Sequence, residues 1–332
     1  MSKQGWIAII CLAVAVALLL GGIADAKELE RVTLSEVVRS VFYSPQYVAL
    51  ELGFFEDEGL DVQLETAWGA DKGAAALISG SVDIGFFGPE AALYIYQQGS
   101  PEIIVGFAQL TARDGSFFMT RDLEEAFVWD NVRGKTIIGA RPGGVPQMVL
   151  EWVLKQHGIE PFVDVEILTH FAFEAALGAF QAGVGDYIAQ FEPAMSQLEL
   201  IGGGKVVASL GAEAGPIAYT VYHARRSMLE ERPEMLIKFT KALYRGQIWA
   251  HEHTPEEIAV VVASFFPEID HDVLVSTINN YKSINAWQTS PIISEAAFRH
   301  LQEVMYEAGE LFEFVPFEEL MDNTIAEAAV SS

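Results

Sequence analysis

Cysteine is almost absent from this sequence. The one thiol in 332 residues, Cys11, lies inside the apolar run 7–20. That run follows Lys3 and precedes Ala24-Asp25-Ala26, the layout of a secretory signal with its cleavage site. The run is short of the roughly 20 residues a spanning helix needs, although an uncleaved anchor is the alternative. Cys11 has no small-residue flank and stands well ahead of the cut, so soluble export is expected rather than lipidation. Cleavage after Ala26 leaves a chain without thiols, which excludes disulfides, thiolate metal sites and cysteine nucleophiles together. Bases are scarce as well. Twenty Lys and Arg face 46 Asp and Glu, a net charge of −26, which argues against nucleic acid and anionic membrane surfaces as partners. There is no G-x-S-x-G for a nucleophile elbow, and Gly202-Gly203-Gly204 lacks the G-K-[ST] of a phosphate loop. His251-Glu252-His253 ends a predicted helix, where neighbouring side chains diverge, so no metal site is expected there, and no cofactor.

What is present is a large apolar fraction, 51%, enough for about two lobes. The stretch 44–99 is the most organised. Residues 45–52 carry apolar positions at Tyr47, Val48, Leu50 and Leu52 and stop at Gly53, which predicts a short helix ended by glycine. Leu60, Val62 and Leu64 alternate with Asp61 and Gln63, which predicts a strand. Residues 72–78 form an alanine-rich helix, and 82–86 a short apolar strand closed by Gly88-Pro89. With a first strand at 32–38 and a fourth at 103–107, strands alternate with helices. Such units build a parallel sheet covered by helices, an α/β fold whose ligands bind where strands turn into helices.

The phrase Ser44-Pro45-Gln46-Tyr47-Val48-Ala49-Leu50-Glu51-Leu52-Gly53-Phe54-Phe55-Glu56-Asp57-Glu58-Gly59-Leu60-Asp61-Val62, followed by Gly80-Ser81-Val82-Asp83-Ile84-Gly85-Phe86-Phe87-Gly88-Pro89, resembles the periplasmic solute-binding proteins of ABC importers. The branch is the one that binds nitrate, sulfonates, taurine and thiamine-pyrimidine precursors. The match is tight over about 55 residues and agrees with the order of elements beyond them. It implies a two-lobed periplasmic binding protein of type II, each lobe a mostly parallel sheet flanked by helices, with two crossovers forming a hinge. On that reading residues 1–26 are the signal peptide, 27–113 and 223–332 form lobe 1, and 114–222 form lobe 2. Residues 109–115 are the first crossover, and a strand at 219–224 lies near the second. Beyond it the chain is mostly helical, and the resemblance implies that these helices pack back on the first lobe. The resemblance further implies a location outside the cytoplasm, a small-molecule ligand, a membrane permease as partner and a monomer, with no catalysis.

The second lobe echoes the first. Gly183-Val184-Gly185-Asp186-Tyr187-Ile188-Ala189-Gln190-Phe191-Glu192-Pro193 reads, like 80–89, as glycine, turn, Asp, apolar strand and a proline-started helix. Arg141-Pro142-Gly143-Gly144-Val145-Pro146 opens another helix, and its glycines let backbone N–H groups approach a ligand. Expected contacts are Tyr43, Ser44 and Tyr47 from the first turn, Trp68 and Asp71 from the second, and Phe87, Gly88 and Glu90 from the third. Lobe 2 adds Arg141, Gly143, Gly144, Val145 and Glu192, with Tyr219 near the hinge. Phe86 and Phe87 alternate, and Phe87 is expected to face the site. Aromatics with a few carboxylates suit a planar, nitrogen-bearing ring that donates hydrogen bonds. An oxyanion such as sulfonate, taurine or nitrate would instead use Arg113, Arg141 or Lys72 with helix N-termini. The pyrimidine-precursor enzymes of this fold carry a lysine and, four residues on, a histidine, where this chain has Phe87 and Ala91. They also need cysteines that the mature chain lacks.

Overall fold

The computed structural model describes residues 28–123 and 126–331; the expected signal at 1–26 lies outside them. Among the described residues, ten strands form two five-stranded sheets. The first sheet contains β1 (Glu30–Glu36), β2 (Leu60–Thr66), β3 (Ile84–Phe87), β4 (Ile104–Thr111) and, much later in the chain, β10 (Thr220–Arg225), in the order β2-β1-β3-β10-β4. The second contains β5 (Ser116–Thr120), β6 (Thr136–Ile138), β7 (Glu166–Leu168), β8 (Tyr187–Phe191) and β9 (Lys205–Ser209), in the order β7-β6-β8-β5-β9. In each sheet one strand, β10 or β5, runs antiparallel to both of its neighbours. Each is the first strand after the chain has crossed between sheets. The two lobes are therefore the same layout used twice, an α/β architecture of two lobes.

The repeated Val-Asp phrase has a shared structural task. The Asp83 carboxylate, just before β3, accepts from the Thr33 N–H at 2.9 Å and from its hydroxyl at 2.8 Å, clamping the third strand to β1. Asp186, just before β8, accepts from the Thr136 N–H at 2.9 Å and clamps β8 to β6. Gly53 ends the helix Ser44–Glu51 in the left-handed region at φ +72°, where a side chain would be strained.

Sheet pairing locates the two crossovers. Thr220–Tyr222 already pair in the first sheet, so the chain returns there ahead of the expected 222/223 boundary. Likewise β4 continues to Thr111, which confines the first crossover to the residues just after it. The two crossovers pair with each other through Ile217 N–H to Ala112 C=O at 2.9 Å. A third pass joins them, with the Ala112 N–H donating to Ala286 C=O at 2.7 Å and the Trp287 Nε1–H to Phe42 C=O at 2.8 Å. The C-terminal region also does not pack wholly on the first lobe. Lys155, in the second-lobe helix Val145–Gln156, donates to the Glu307 carbonyl at the end of the helix Glu295–Glu307, and Trp152 packs edge-on against His300.

The long helix Pro233–Glu252 lies on Ser44–Glu51 at a close approach. A Cβ at Gly246 would stand 2.4 Å from the Pro45 carbonyl oxygen. Gly246→Ala gains about 1 kcal/mol of helix propensity but forces a clash against backbone that costs about 1–3 kcal/mol. The clash should win, because a helix carbonyl cannot step aside as a side chain can. We expect a lower urea midpoint for Gly246→Ala; an unchanged or higher midpoint would mean that the two helices separate without cost.

Candidate ligand-binding site

A cleft of about 580 Å³ lies between the sheets, where the parallel strands of both end. The first lobe supplies the turn after β1, Trp68 and Gly69 after β2, and Gly88 and Glu90 after β3. The second supplies Arg141, Val145 and Pro146 after β6, Phe171 after β7, and Gln190, Phe191 and Glu192 at the end of β8. Tyr219 and Thr220 lie at the start of β10, which enters from the same edge because it runs antiparallel. Phe266, Glu268 and Ile269 reach in from the C-terminal helices.

Three buried or nearly buried glutamates stand at or behind this cleft, and their surroundings differ. Glu36, at the end of β1, is fully buried behind the wall. It accepts from Arg39 Nε at 2.6 Å, Tyr47 OH at 2.7 Å, Gln46 Nε2 at 3.0 Å and Thr66 Oγ1 at 3.0 Å. Burial still pushes its pKa up, against the pull of those donors. Glu192 lines the cleft and is 3% exposed. It accepts from the Ser196 N–H and hydroxyl, each at 2.9 Å, and from Asn280 Nδ2. Its pKa is raised, again chiefly by burial. Glu90 is different. It begins the helix Glu90–Gln97, folds back over Gly88, and its Oε2 has no hydrogen-bond partner. Burial pushes its pKa up to about 7, opposed by its own backbone N–H and the Arg141 charge.

Of the expected contacts, the structure brings Tyr43, Trp68, Gly88, Glu90, Arg141, Val145, Glu192 and Tyr219 to the cleft lining. The other seven are elsewhere. Phe87 is a correction: it lies in the core, stacked on His223 with centroids 4.4 Å apart and planes at 5°. β3 is central and covered on both faces, so alternation does not turn either Phe86 or Phe87 to the edge. Ser44 is buried and donates to Val41 C=O at 2.6 Å, and Tyr47 is buried with its hydroxyl on Glu36. Both side chains are taken up by partners inside the first lobe. Asp71 is exposed and sits 3.8 Å from Arg141, joining the lobes outside the cavity. Arg113 lies in the crossover, where its Nη1 reaches the Gly211 carbonyl at 3.5 Å. Gly143 offers its carbonyl to the Tyr94 hydroxyl of the first lobe at 3.0 Å, and Gly144 caps the helix Val145–Gln156. Lys72 is exposed on its helix, outside the lining.

Reasoning from the sequence passed over Arg39, Phe171, Phe266 and Glu268. Arg39 follows β1 by three residues and was legible as a strand-end base. Phe266 and Glu268 come from far along the chain, and no local pattern announces them. Trp68 carries a second signal that only the backbone shows. Its φ is +58°, rare for a bulky residue, and its side chain is 63% exposed at the cleft. Among the described residues, no group of three His, Cys, Asp or Glu could hold a metal ion, and no helix is long and apolar enough to cross a membrane.

The model of the family described as NMT1/THI5 like matches residues 42–258. YtlA of Bacillus subtilis (strain 168), which bears the name of a binding protein, is 39% identical over 303 residues, 91% of each chain. The chain belongs to the NMT1/THI5-like family. Among solved structures, the alkanesulfonate-binding protein SsuA from Xanthomonas axonopodis pv. citri, bound to MOPS, matches with a TM-score of 0.70 and 16% identity. That match covers 90% of this chain and 99% of the other. The periplasmic nitrate-binding protein NrtA from Synechocystis PCC 6803 matches with a TM-score of 0.69 and 15% identity, over 92% and 89% of the two chains. At such identities the likeness is one of fold, and the fold is the two-lobed one of periplasmic binding proteins.

The Glu90 surroundings make a stability prediction with a definite sign. In the unfolded chain this group ionises near 4.5, and in the folded protein near 7. Between those values the folded state keeps a proton that the unfolded chain has released, so stability falls as pH rises through the window and stays lower above it. Glu90→Gln removes that penalty. The ligand-free variant should melt above wild type at pH 8, by on the order of 5 °C, and the gap should close by pH 4.5. A variant no more stable at pH 8, by circular dichroism melting, would mean that Glu90 ionises there at little cost.

Proposed function

We propose that this protein is the solute-binding component of an ABC-type importer, exported from the cytoplasm, which captures a small molecule between its lobes and delivers it to a membrane permease. The ligand is a nitrogen-bearing heteroaromatic ring of the pyrimidine or vitamin-precursor type. Family membership and the fold of importer proteins support the first statement. One observation carries the second: the chain's own carboxylates occupy the helix starts that an oxyanion would need. Glu90 begins one cleft-facing helix, Glu192 takes the Ser196 N–H at the start of another, and Asp71 lies in the first turn of a third. A sulfonate or nitrate at those ends would meet negative charge where the helix dipole would otherwise favour it. The walls are aromatic, with Tyr43, Phe171, Phe191, Tyr219 and Trp68, which suits a flat ring.

A binder of sulfonate, taurine or nitrate is the second reading. In its favour, Arg141 stands beside the start of the helix Val145–Gln156, whose first turn holds no acid. Against it, Pro146 removes one amide donor from that turn. Turnover of the ligand has less support. The positions where the related enzymes carry a lysine and a histidine are Phe87, in the core, and Ala91, also buried.

A thermal-shift screen tests the ligand class. Pyrimidine precursors and flavins are set against sulfonates, taurine and nitrate. A ligand at a hundredfold excess over its Kd raises stability by about 2.7 kcal/mol. We expect the shift with a heteroaromatic compound; a shift with oxyanions alone would overturn the ring assignment and move the site to Arg141. With the ligand so found, Trp68→Ala should weaken binding about 3- to 10-fold, the worth of one aromatic contact, with the melting temperature of the free protein kept. Unchanged affinity in calorimetry would remove Trp68 from the site.

A further inference from the structure

Glu90 has no hydrogen-bond partner for Oε2, lies 9% exposed in the cleft wall, and begins a helix of eight residues. A buried carboxyl left in this state costs stability and has no structural return. The other two glutamates of the region, Glu36 and Glu192, are each surrounded by three or more donors, and Asp114, whose Oδ2 is also unpartnered, stands outside the lining with its other oxygen on Ser116. Position 88 is shaped around Glu90: a Cβ there would lie 1.9 Å from Oε2, so only glycine lets the carboxyl fold into this place. We propose that Glu90 is the specificity-determining acceptor of the cleft, and that the ligand sets a planar, positively charged N–H edge of the amidinium type against its carboxylate. This inference rests on the ring-binding reading above and names the edge of the ring.

The groups facing Glu90 favour a cation. Tyr43 comes from the turn after β1, Tyr94 from its own helix and Tyr219 from the second crossover, with Glu310 beyond Tyr94. Burial pushes all three phenols up, so they stay neutral while Glu90 titrates. Arg141 is the one base acting on Glu90, and it is engaged 3.8 Å from Asp71 on the exposed side. An anionic ligand would face a carboxyl whose nearby base, Arg141, is shared with Asp71. A ligand carbonyl would need Glu90 protonated. A cationic edge supplies two N–H donors in the plane of the carboxylate, a charge-assisted pair strengthened by the surrounding aromatic walls. Such an edge exists where a ring nitrogen and an exocyclic amine share one carbon.

The test uses three compounds of one shape: benzamidine, a cation throughout the range studied, benzamide, neutral, and benzenesulfonate, anionic. Binding to the purified protein is measured by calorimetry between pH 6 and pH 8. We expect wild type to prefer benzamidine, with affinity rising about tenfold from pH 6 to pH 8 as Glu90 ionises. Glu90→Gln should lose at least tenfold for benzamidine at pH 8 and lose the pH dependence, while a cooperative thermal melt shows that the variant is folded. Asp114 also has a raised pKa, about 6, but it is buried outside the cleft lining, and any slope it causes would persist in Glu90→Gln. Equal benzamidine affinity and pH slope in both proteins overturn the inference. So does preference for benzamide or benzenesulfonate in wild type, while ring binding itself stands. No binding of any of the three at millimolar concentration overturns the ring reading and this inference together.

Discussion

One buried carboxylate holds the binding edge of the first lobe in shape. Glu36 receives donors from the turn after its own strand, from the following helix and from the end of β2. Gln46 extends the network, since its carbonyl accepts from Tyr222 in β10 at 2.8 Å. Four segments distant in sequence are thereby fixed to one another at the point where the sheet ends. A buried charge is tolerated only when its lone pairs are filled, and its partners are strongly held because losing any of them exposes the rest to that cost. From this fixed edge Phe42 projects to the hinge. Its ring meets Tyr219 and Tyr281, and across the cleft Phe191 of the second lobe. Gly115 in the crossover leaves room for it, because a Cβ there would fall 2.8 Å from the ring.

The contrast among the three carboxyls separates scaffold from site. Glu36 and Glu192 are satisfied by the protein, so they have little left to offer a ligand. Glu90 is unsatisfied, and a fold selected for stability alone would not keep it. Marginal stability makes such a group expensive, which is why unpaired buried charge concentrates where proteins bind or react. The sign of each group's contribution follows from its surroundings. The same carboxylate that stabilises a turn when surrounded by donors destabilises the free protein when it is not.

The sequence was most informative where a turn has to be built from particular residues. Gly53, the paired Val-Asp phrases and Gly88-Pro89 marked the strand ends, and through them the position of the cleft. It was least informative about direction. Phe87 read as edge-facing because alternation assumes one open face, and β3 has none. Ser44 and Tyr47 sit in the most recognisable phrase of the chain, yet that phrase serves the Glu36 network and the hinge, and it is residues 37–43 just before it that line the cavity. Residues from the C-terminal half were out of reach for a different reason. Phe266, Glu268 and the third hinge pass meet the cleft only through long-range packing, which no local pattern encodes.

The contacts on the open side of the cleft are of another kind from those at the hinge. There the lobes meet through the Tyr94 hydroxyl on the Gly143 carbonyl and through the exposed Asp71–Arg141 pair. A neutral hydrogen bond is worth about 1 kcal/mol, and an exposed ion pair at that separation adds little. On the hinge side the crossovers are hydrogen-bonded to one another and packed around the aromatic cluster of Phe42. So the direct contacts across the mouth of the cleft are weaker than those at the hinge. A cleft bridged this way gains from its contents, and the wall residue with the most to gain from a ligand is Glu90, whose Oε2 has no partner in the protein.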